Sequence, residues 1–390
     1  MSNSTHRVNV VKIEEILPHS NADTLGIVYI GGYQCVVKKD AYKVGDLALY
    51  IQPDTIVPVH PAFAFLWADR EFADGTIPER LRRITVRKFR GNWSEGLLMP
   101  LVEFEELLIP MAARDGRLPS VAEGDDVAEL LGFSHYEEPE PAPQMHGKQY
   151  KVLPKSLRGW FWYILAKLHI YRPTVYGADC CKAPKQFSPV YDVEGFKNYP
   201  RTFVEGEEVF VTEKIHGSNG RYQFGSADQK MHVGSHNYWK SEKSTCIWRR
   251  ALAQNPWLSE FCTQHPDHTV YLEVVPTQKG YTYGCTGDET KAFVFDVLRP
   301  DGTWVDKRDL YGMDPLGLGQ HLVPLLNGHC KAFNLDEIKT LVEGPSTVPG
   351  AKHLREGIVI SSATERTVRG LGRAQLKLKS MKFLESEGKA

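Results

Sequence analysis

Glu213-Lys-Ile-His-Gly217 sets a primary amine, an imidazole and a carboxylate at the end of one short apolar run. In Val209-Phe-Val-Thr-Glu-Lys214, alternation puts Val209 and Val211 on one face of a strand and Phe210, Thr212 and Lys214 on the other. The run then enters Gly217-Ser-Asn-Gly-Arg221. A lysine at a strand end, followed by a glycine turn, can deliver its amine into a cleft where a phosphate approaches the backbone closely. A Lys-x-x-Gly pattern alone recurs by chance, so the chemistry must be sought in what accompanies it.

Four later stretches supply the company. Val270-Tyr-Leu-Glu-Val-Val275 sets Glu273 opposite the face of Val270, Leu272 and Val274, and Phe293 and Phe295 share a face in Ala292-Phe-Val-Phe-Asp-Val297. Arg355-Glu-Gly-Ile-Val-Ile360 puts Glu356 at the mouth of a strand, and Gln375-Leu-Lys-Leu-Lys379 turns Leu376 and Leu378 inward, leaving Lys377 and Lys379 side by side. Any one of these reads as a half-buried strand with a solvated face. A triphosphate needs cations, a planar base needs an aromatic face, and a divalent ion needs carboxylates. The series provides all three.

In this order the stretches resemble the covalent nucleotidyltransferases: DNA ligases, RNA ligases and mRNA capping enzymes. Glu213-Lys-Ile-His-Gly-Ser-Asn219 is most similar to the nucleophile motif of nick-sealing RNA ligases, Glu-Lys-x-His-Gly-Thr-Asn; DNA ligases carry Arg where this chain has Asn219. Gln278-Lys-Gly-Tyr-Thr-Tyr-Gly284 also resembles that branch. The resemblance implies an ATP-dependent RNA ligase in which Lys214 takes up AMP and passes it to a 5′-phosphate end that a 3′-hydroxyl then seals. It implies Phe295 on the adenine, Glu213 near the adenine edge, Glu273 at the ribose, and Lys377 and Lys379 at the phosphates. His216, Gly217 and Asn219 match further nucleotide-binding positions. Glu356, with Glu273, is implied on the side of a divalent metal, Mg2+ or Mn2+. The rival readings are a DNA ligase, a GTP-using capping enzyme, and a catalytically silent RNA-binding protein. One departure stands out: where the family often has Ser-Arg-Asn, this chain has Ser235-His-Asn237. Arginine is a permanent bidentate phosphate binder, whereas histidine is charged only part of the time near neutrality.

The elements that must position these groups divide the chain. Apolar runs at Val8–Ile13, Gly26–Ile30, Gln34–Val37, Leu47–Ile51 and Ile84–Val86, separated by turn residues, suit a small OB-like β-barrel over 1–135. The acidic, proline-rich run at 137–143 and a helix at Lys155–Ile170 form the expected linker, 136–187. From 188 to 390 strands alternate with helices at Ile247–Cys262 and Leu335–Val342. The fold class is therefore α+β: an OB-like barrel followed by an antiparallel-sheet, ATP-grasp-like ligase domain. The resembling subgroup carries its OB module in front. DNA ligases and capping enzymes place one after the last lysine motif, for which this chain leaves no room.

A formal net charge of −1 excludes a polycation, so an RNA partner, nicked or broken and possibly mixed RNA–DNA, needs local basic patches. One runs from Arg80 through Arg82, Arg83, Arg87, Lys88 and Arg90, with Phe89 and Trp93; another runs from Arg366 through Arg369, Arg373, Lys377, Lys379 and Lys382, opposed only by Glu365. Seven scattered cysteines without a CxxC pair fit reduced thiols and a cytoplasmic protein. His265 and His268 have metal-like spacing but lack companion ligands, which reads as a surface loop. No signal peptide or membrane span is expected, and no obligate protein partner is evident.

Overall fold

A computed structural model describes residues 7–68, 76–104, 121–136, 179–278, 280–326 and 328–387. The chain forms two compact units, one of Met1–Glu138, Glu194–Thr202 and Leu378–Ala390, the other of Pro139–Val193 and Phe203–Lys377. The run at 137–143 and the helix expected at Lys155–Ile170 lie outside the described residues. No helix among the described residues is long and apolar enough to cross a membrane.

In the first unit, Val8–Lys12, Leu47–Ile51 and Leu97–Pro100 form one antiparallel sheet, and Leu17–Pro18, Leu25–Ile30 and Tyr33–Lys38 form another. Their inward side chains build two small cores, one around Val8, Leu49, Phe63 and Phe104, the other around Ile13, Val28, Cys35 and Tyr50. Four of the five expected strands are present. Ile84–Val86 is not a strand: Ile84 is pinned by backbone bonds to Thr55 and Asp54, and its apolar run serves burial alone. The actual strand is its polar neighbour Arg87–Phe89, paired with Asn92–Ser94 in a hairpin that turns at Arg90 and Gly91, both at positive φ.

The second unit is built on two antiparallel sheets. One runs in the order Trp239–Lys240, Lys230–Ser235, Ser218–Gly225, Thr269–Val275, Lys291–Leu298. Its apolar side packs against two helices, Ile247–Gln254 and Pro256–Gln264, around Tyr222, Leu258, Leu272 and Val294. The single helix expected at Ile247–Cys262 is thus two, because Pro256 cannot continue the ladder and Asn255 leaves helical geometry ahead of it. In the other sheet the strand Glu208–Lys214 lies between Gly357–Ser362 and Lys331–Ala332. Val209, Phe210, Val211 and Thr212 are all buried, so this strand is covered on both faces and opens outward only at its two ends, Glu208 and Lys214. A helix at Leu335–Thr340, capped by the Asn334 side chain on the Glu337 amide at 3.0 Å, buries Ile338.

Candidate active site

Lys214 pairs in register with Gly357, which brings the preceding Glu356 across from the amine. Lys214 Nζ lies 2.8 Å from Glu356 Oε1, and the other carboxylate oxygen lies 3.4 Å from His216 Nδ1. Burial alone would depress His216, but the Glu356 carboxylate and Gln278 outweigh it and hold the imidazole above its ordinary value. Lys214 is a quarter exposed while Glu356 is buried, so the amine is tethered from behind and open in front.

Three registered strands place the next group. Asn219 sits opposite Glu273, and Glu273 opposite Phe293, so all three share one face. Gly217 closes the turn. A Cβ there would lie 2.5 Å from the Val274 carbonyl oxygen and 2.8 Å from Glu273 Cγ, and its amide donates to Glu273 Oε1 at 3.1 Å. Only glycine fits this approach, for reasons of space rather than of backbone angle.

Glu273 is the tuned group. Burial first of all pushes its carboxyl up to about 7; the Glu356 charge adds to this and Lys214 pulls the other way. An acid whose pKa is raised on folding stabilises the protein below its unfolded value, and that stability is lost as pH rises to the folded one. The ligand-free protein is therefore expected to lose stability between pH ~4.5 and ~7 through Glu273. Glu273→Gln should flatten that slope in denaturant unfolding followed against pH; an unchanged slope would assign it to other groups.

Glu213 precedes the lysine and is 1% exposed, one oxygen accepting from the Thr347 amide and hydroxyl, both at 2.7 Å. Its other oxygen, Oε1, is buried and has no hydrogen-bond partner. A carboxylate oxygen left so is costly unless a ligand donates to it. Beside it, Ile215, Val275, Tyr283, Val323 and Val348 form an apolar wall, with Phe293, Phe295 and Tyr281 half-buried against it. The Tyr283 hydroxyl accepts from the His216 amide at 2.7 Å. An apolar slot ending in one unfilled acceptor fits a flat base with an exocyclic amine.

Phe295 is the extra residue of a bulge: Tyr271 pairs with Asp296 and Leu272 with Val294. Its ring packs on Tyr191 at 4.7 Å, while Phe293 holds the position opposite Glu273. Asp296, fully buried, accepts from Tyr191 at 2.6 Å and pairs with Lys307 at 2.9 Å and Arg373 at 2.8 Å. Arg373 also pairs with Glu365 at 2.6 Å and lies 3.9 Å over Trp304. Arg366 is tied to Glu207 at 2.7 Å. The C-terminal basic run is thus not an open patch opposed by Glu365 alone; two of its arginines are engaged by carboxylates distant in sequence. Lys377 and Lys379 occupy one strand, Gln375–Lys379, which neighbours Gly357–Ser362. The boundary between units falls between them. Lys379 goes with the first unit, where it and Arg83 hold Asp54 below the usual carboxylate range against the effect of burial.

His236 follows the strand Lys230–Ser235, with Nε2 3.5 Å from Asp192 Oδ1. His265 and His268 stand edge to face at 5.7 Å. No three metal-ligating side chains converge among the described residues. The protein offers a divalent ion Glu273 and Glu356, two carboxylates whose mutual repulsion a cation would relieve. The remaining ligands would have to come from the phosphates it accompanies, as is usual for Mg2+ at nucleotide sites.

A strand-end lysine backed by a buried glutamate, with an apolar base slot beside it and OB-type sheets in the front unit, defines the covalent nucleotidyltransferase class. Residues 207–379 match the model of the RNA ligase family, and residues 7–101 match that of an OB-fold domain. No curated protein matches the sequence. Among solved structures, a mutant of Naegleria gruberi RNA ligase with ATP and Mn is 20% identical with a TM-score of 0.69, the likeness covering 99% of this chain and 100% of that one. The same enzyme with PPi is 19% identical with a TM-score of 0.68 and coverage of 99% and 100%. The mixed α+β architecture read from the sequence is thereby borne out.

Proposed function

We propose that this ligase seals RNA in three steps, with ATP as the source of AMP and Lys214 as the nucleophile. The deprotonated Nζ attacks the α-phosphorus, the bond to pyrophosphate breaks, and a lysyl-AMP phosphoramidate forms. A 5′-phosphate oxygen of the RNA then attacks the AMP phosphorus and releases the amine, and a 3′-hydroxyl attacks the phosphorus of that 5′-phosphate, expelling AMP. Glu356 orients the amine and, with His216, is the nearest group able to hold its proton. Glu213 accepts from the adenine amine, Phe295 and Phe293 face the ring, Glu273 meets the ribose, and Lys377 and Lys379 serve the phosphates. His216, Gly217 and Asn219 shape the turn against them. A bound Mg2+ or Mn2+, held by Glu356 and Glu273, would shield charge on the phosphate oxygens. The related structures carry ATP with Mn, and PPi, which suits these ligands.

The front module, 1–135, is the proposed RNA holder and 188–390 the adenylyltransferase. The hairpin Arg87–Ser94 supports the first role. Arg87, Lys88 and Arg90 are exposed, Phe89 is 42% exposed, and Lys88 lies 4.9 Å over Trp93. Cations beside open rings suit a strand's phosphates and bases. Arg82 and Arg83 of the same basic run are instead structural, bound to the Val57 carbonyl and to Asp54. Nicks in duplexed RNA, including mixed RNA–DNA nicks, are the proposed substrates. Free thiols at all seven cysteines suit a cytoplasmic setting.

The unfilled Glu213 oxygen carries the choice of base, since adenine presents an amine where guanine presents a carbonyl oxygen. Incubation with labelled ATP or GTP, followed by nicked RNA and nicked DNA, is expected to give acid-labile label from ATP at least about 100-fold over GTP. Sealing should then follow on nicked RNA. Label from GTP alone, or sealing confined to all-DNA nicks, would overturn the reading.

A further inference from the structure

Between Gly344 and Arg355 the chain doubles back on itself. The Ser346 amide donates to the His353 carbonyl and the Arg355 amide to the Gly344 carbonyl, both at 3.0 Å. The Arg355 guanidinium clamps the base of this hairpin, donating to the Pro345 carbonyl at 2.9 Å and to the Leu341 carbonyl at 3.1 Å. Its tip is pressed on the turn after Tyr283: a Cβ on Gly284 would stand 3.1 Å from the Gly350 Cα. One leg carries Thr347, which holds Glu213, and Val348, part of the apolar wall of the base slot. The other leg carries His353.

His353 Nδ1 lies 3.0 Å from the Leu354 carbonyl oxygen, which can only accept, so Nδ1 bears the hydrogen of that bond. In the uncharged ring Nε2 is then a bare acceptor, and it is buried without a hydrogen-bond partner. The ring stands edge to face with Tyr283 at 4.4 Å and with Tyr281 at 5.0 Å, and Tyr281 in turn meets His216 at 4.6 Å. Packing on these rings fixes where the imidazole lies but gives its lone pair no N–H or O–H. A buried acceptor left so is costly unless a ligand donates to it. Glu213 Oε1 is in the same condition, and the Thr347 bond ties its carboxylate to the hairpin that bears His353. Adenine carries one donor group on its polar edge, an exocyclic amine with two hydrogens. We infer that His353 is a specificity-determining residue whose Nε2 accepts the second of these hydrogens while Glu213 takes the first. The inference rests on the proposed use of ATP and deepens its account of how the base is read.

His353→Phe tests it, because phenylalanine keeps a flat ring against the two tyrosines and removes the acceptor. With ATP, kcat/KM for lysyl-AMP formation should fall about tenfold, the worth of one hydrogen bond, chiefly through KM. With purine ribonucleoside triphosphate, which lacks the amine, the variant and the wild type should agree within about twofold. A packing defect cannot give that pattern, since it would follow both nucleotides. His353→Gln, whose amide oxygen can stand near the place of Nε2, should recover most of the loss with ATP. Equal losses on both nucleotides would assign the ring to packing and overturn the inference, and so would undiminished use of ATP. If His353→Phe does not unfold cooperatively, the wild-type protein carries the test with N6-methyl-ATP. When both hydrogens are engaged the methyl group must displace one bond, so uptake should fall at least about tenfold below that of ATP. Uptake within about twofold of ATP would leave one hydrogen free and remove His353 from the site. A wild-type protein that takes no label from ATP would defeat the functional proposal itself, a result separate from any of these.

Discussion

Lys214→Ala is expected to abolish acid-labile AMP attachment, a loss of at least about a thousandfold, and sealing of unactivated ends with it. The fold should survive. Lys214 is the last residue of its strand, its backbone pairing with Gly357 does not use the side chain, and Glu356 keeps His216 as a partner. Binding of nicked RNA by the front module should change little. Lys214→Arg sharpens the test. Guanidinium can hold the ion pair with Glu356 but does not shed its proton in proteins, so it cannot attack phosphorus. The arginine variant should therefore be as silent as alanine while keeping the wild-type melting temperature more closely. A labelled Lys214→Ala protein would move the nucleophile elsewhere, and a labelled Lys214→Arg protein would mean that the covalent bond is not made at this nitrogen.

What the sequence made legible was local. The strand ending in Lys214, the face of Glu273, the glutamate before Gly357 and the inward leucines of Gln375–Lys379 all follow from a period of two read over a few residues. Contacts made across long stretches of chain were not legible. The Thr347 amide that holds Glu213, the Glu207 that takes Arg366 and the Asp296 that takes Arg373 lie far along the sequence from their partners. A run of basic residues therefore looked open when two of them were already neutralised. Burial also hides in plain alternation: Ile84 and Val86 are as apolar as any strand, yet backbone bonds to Asp54 and Thr55 fix that segment without a ladder. The broken helix is a different case. Pro256 stood in the expected Ile247–Cys262 helix, and its missing amide was signal enough to divide it.

Gly217→Ala should cost adenylylation about 100-fold, less than loss of the nucleophile, and through space alone. The new methyl carbon would stand 2.5 Å from the Val274 carbonyl oxygen and 2.8 Å from Val275 Cγ1. Val274 is fully buried in an inner strand of a five-stranded sheet, bonded on one side to Ser218–Gly225 and on the other to Lys291–Leu298. It cannot retreat, so the turn must. Moving the turn breaks the amide bond to Glu273 and strains the one from His216 to Tyr283, and both flank the amine three residues earlier. Overpacking of this kind costs about 1–3 kcal/mol of stability. A displacement near 1 Å at a reacting group costs about 100-fold in rate. Adenylylation should therefore fall by at least that factor in a protein that still unfolds cooperatively. The same exchange at Gly312, where an added carbon meets nothing nearer than Arg308 Cγ at 4.0 Å, should leave both properties near wild type. If Gly217→Ala took up AMP at the normal rate, the turn would be looser than its packing requires, and the geometry assigned to Lys214 would have to be abandoned.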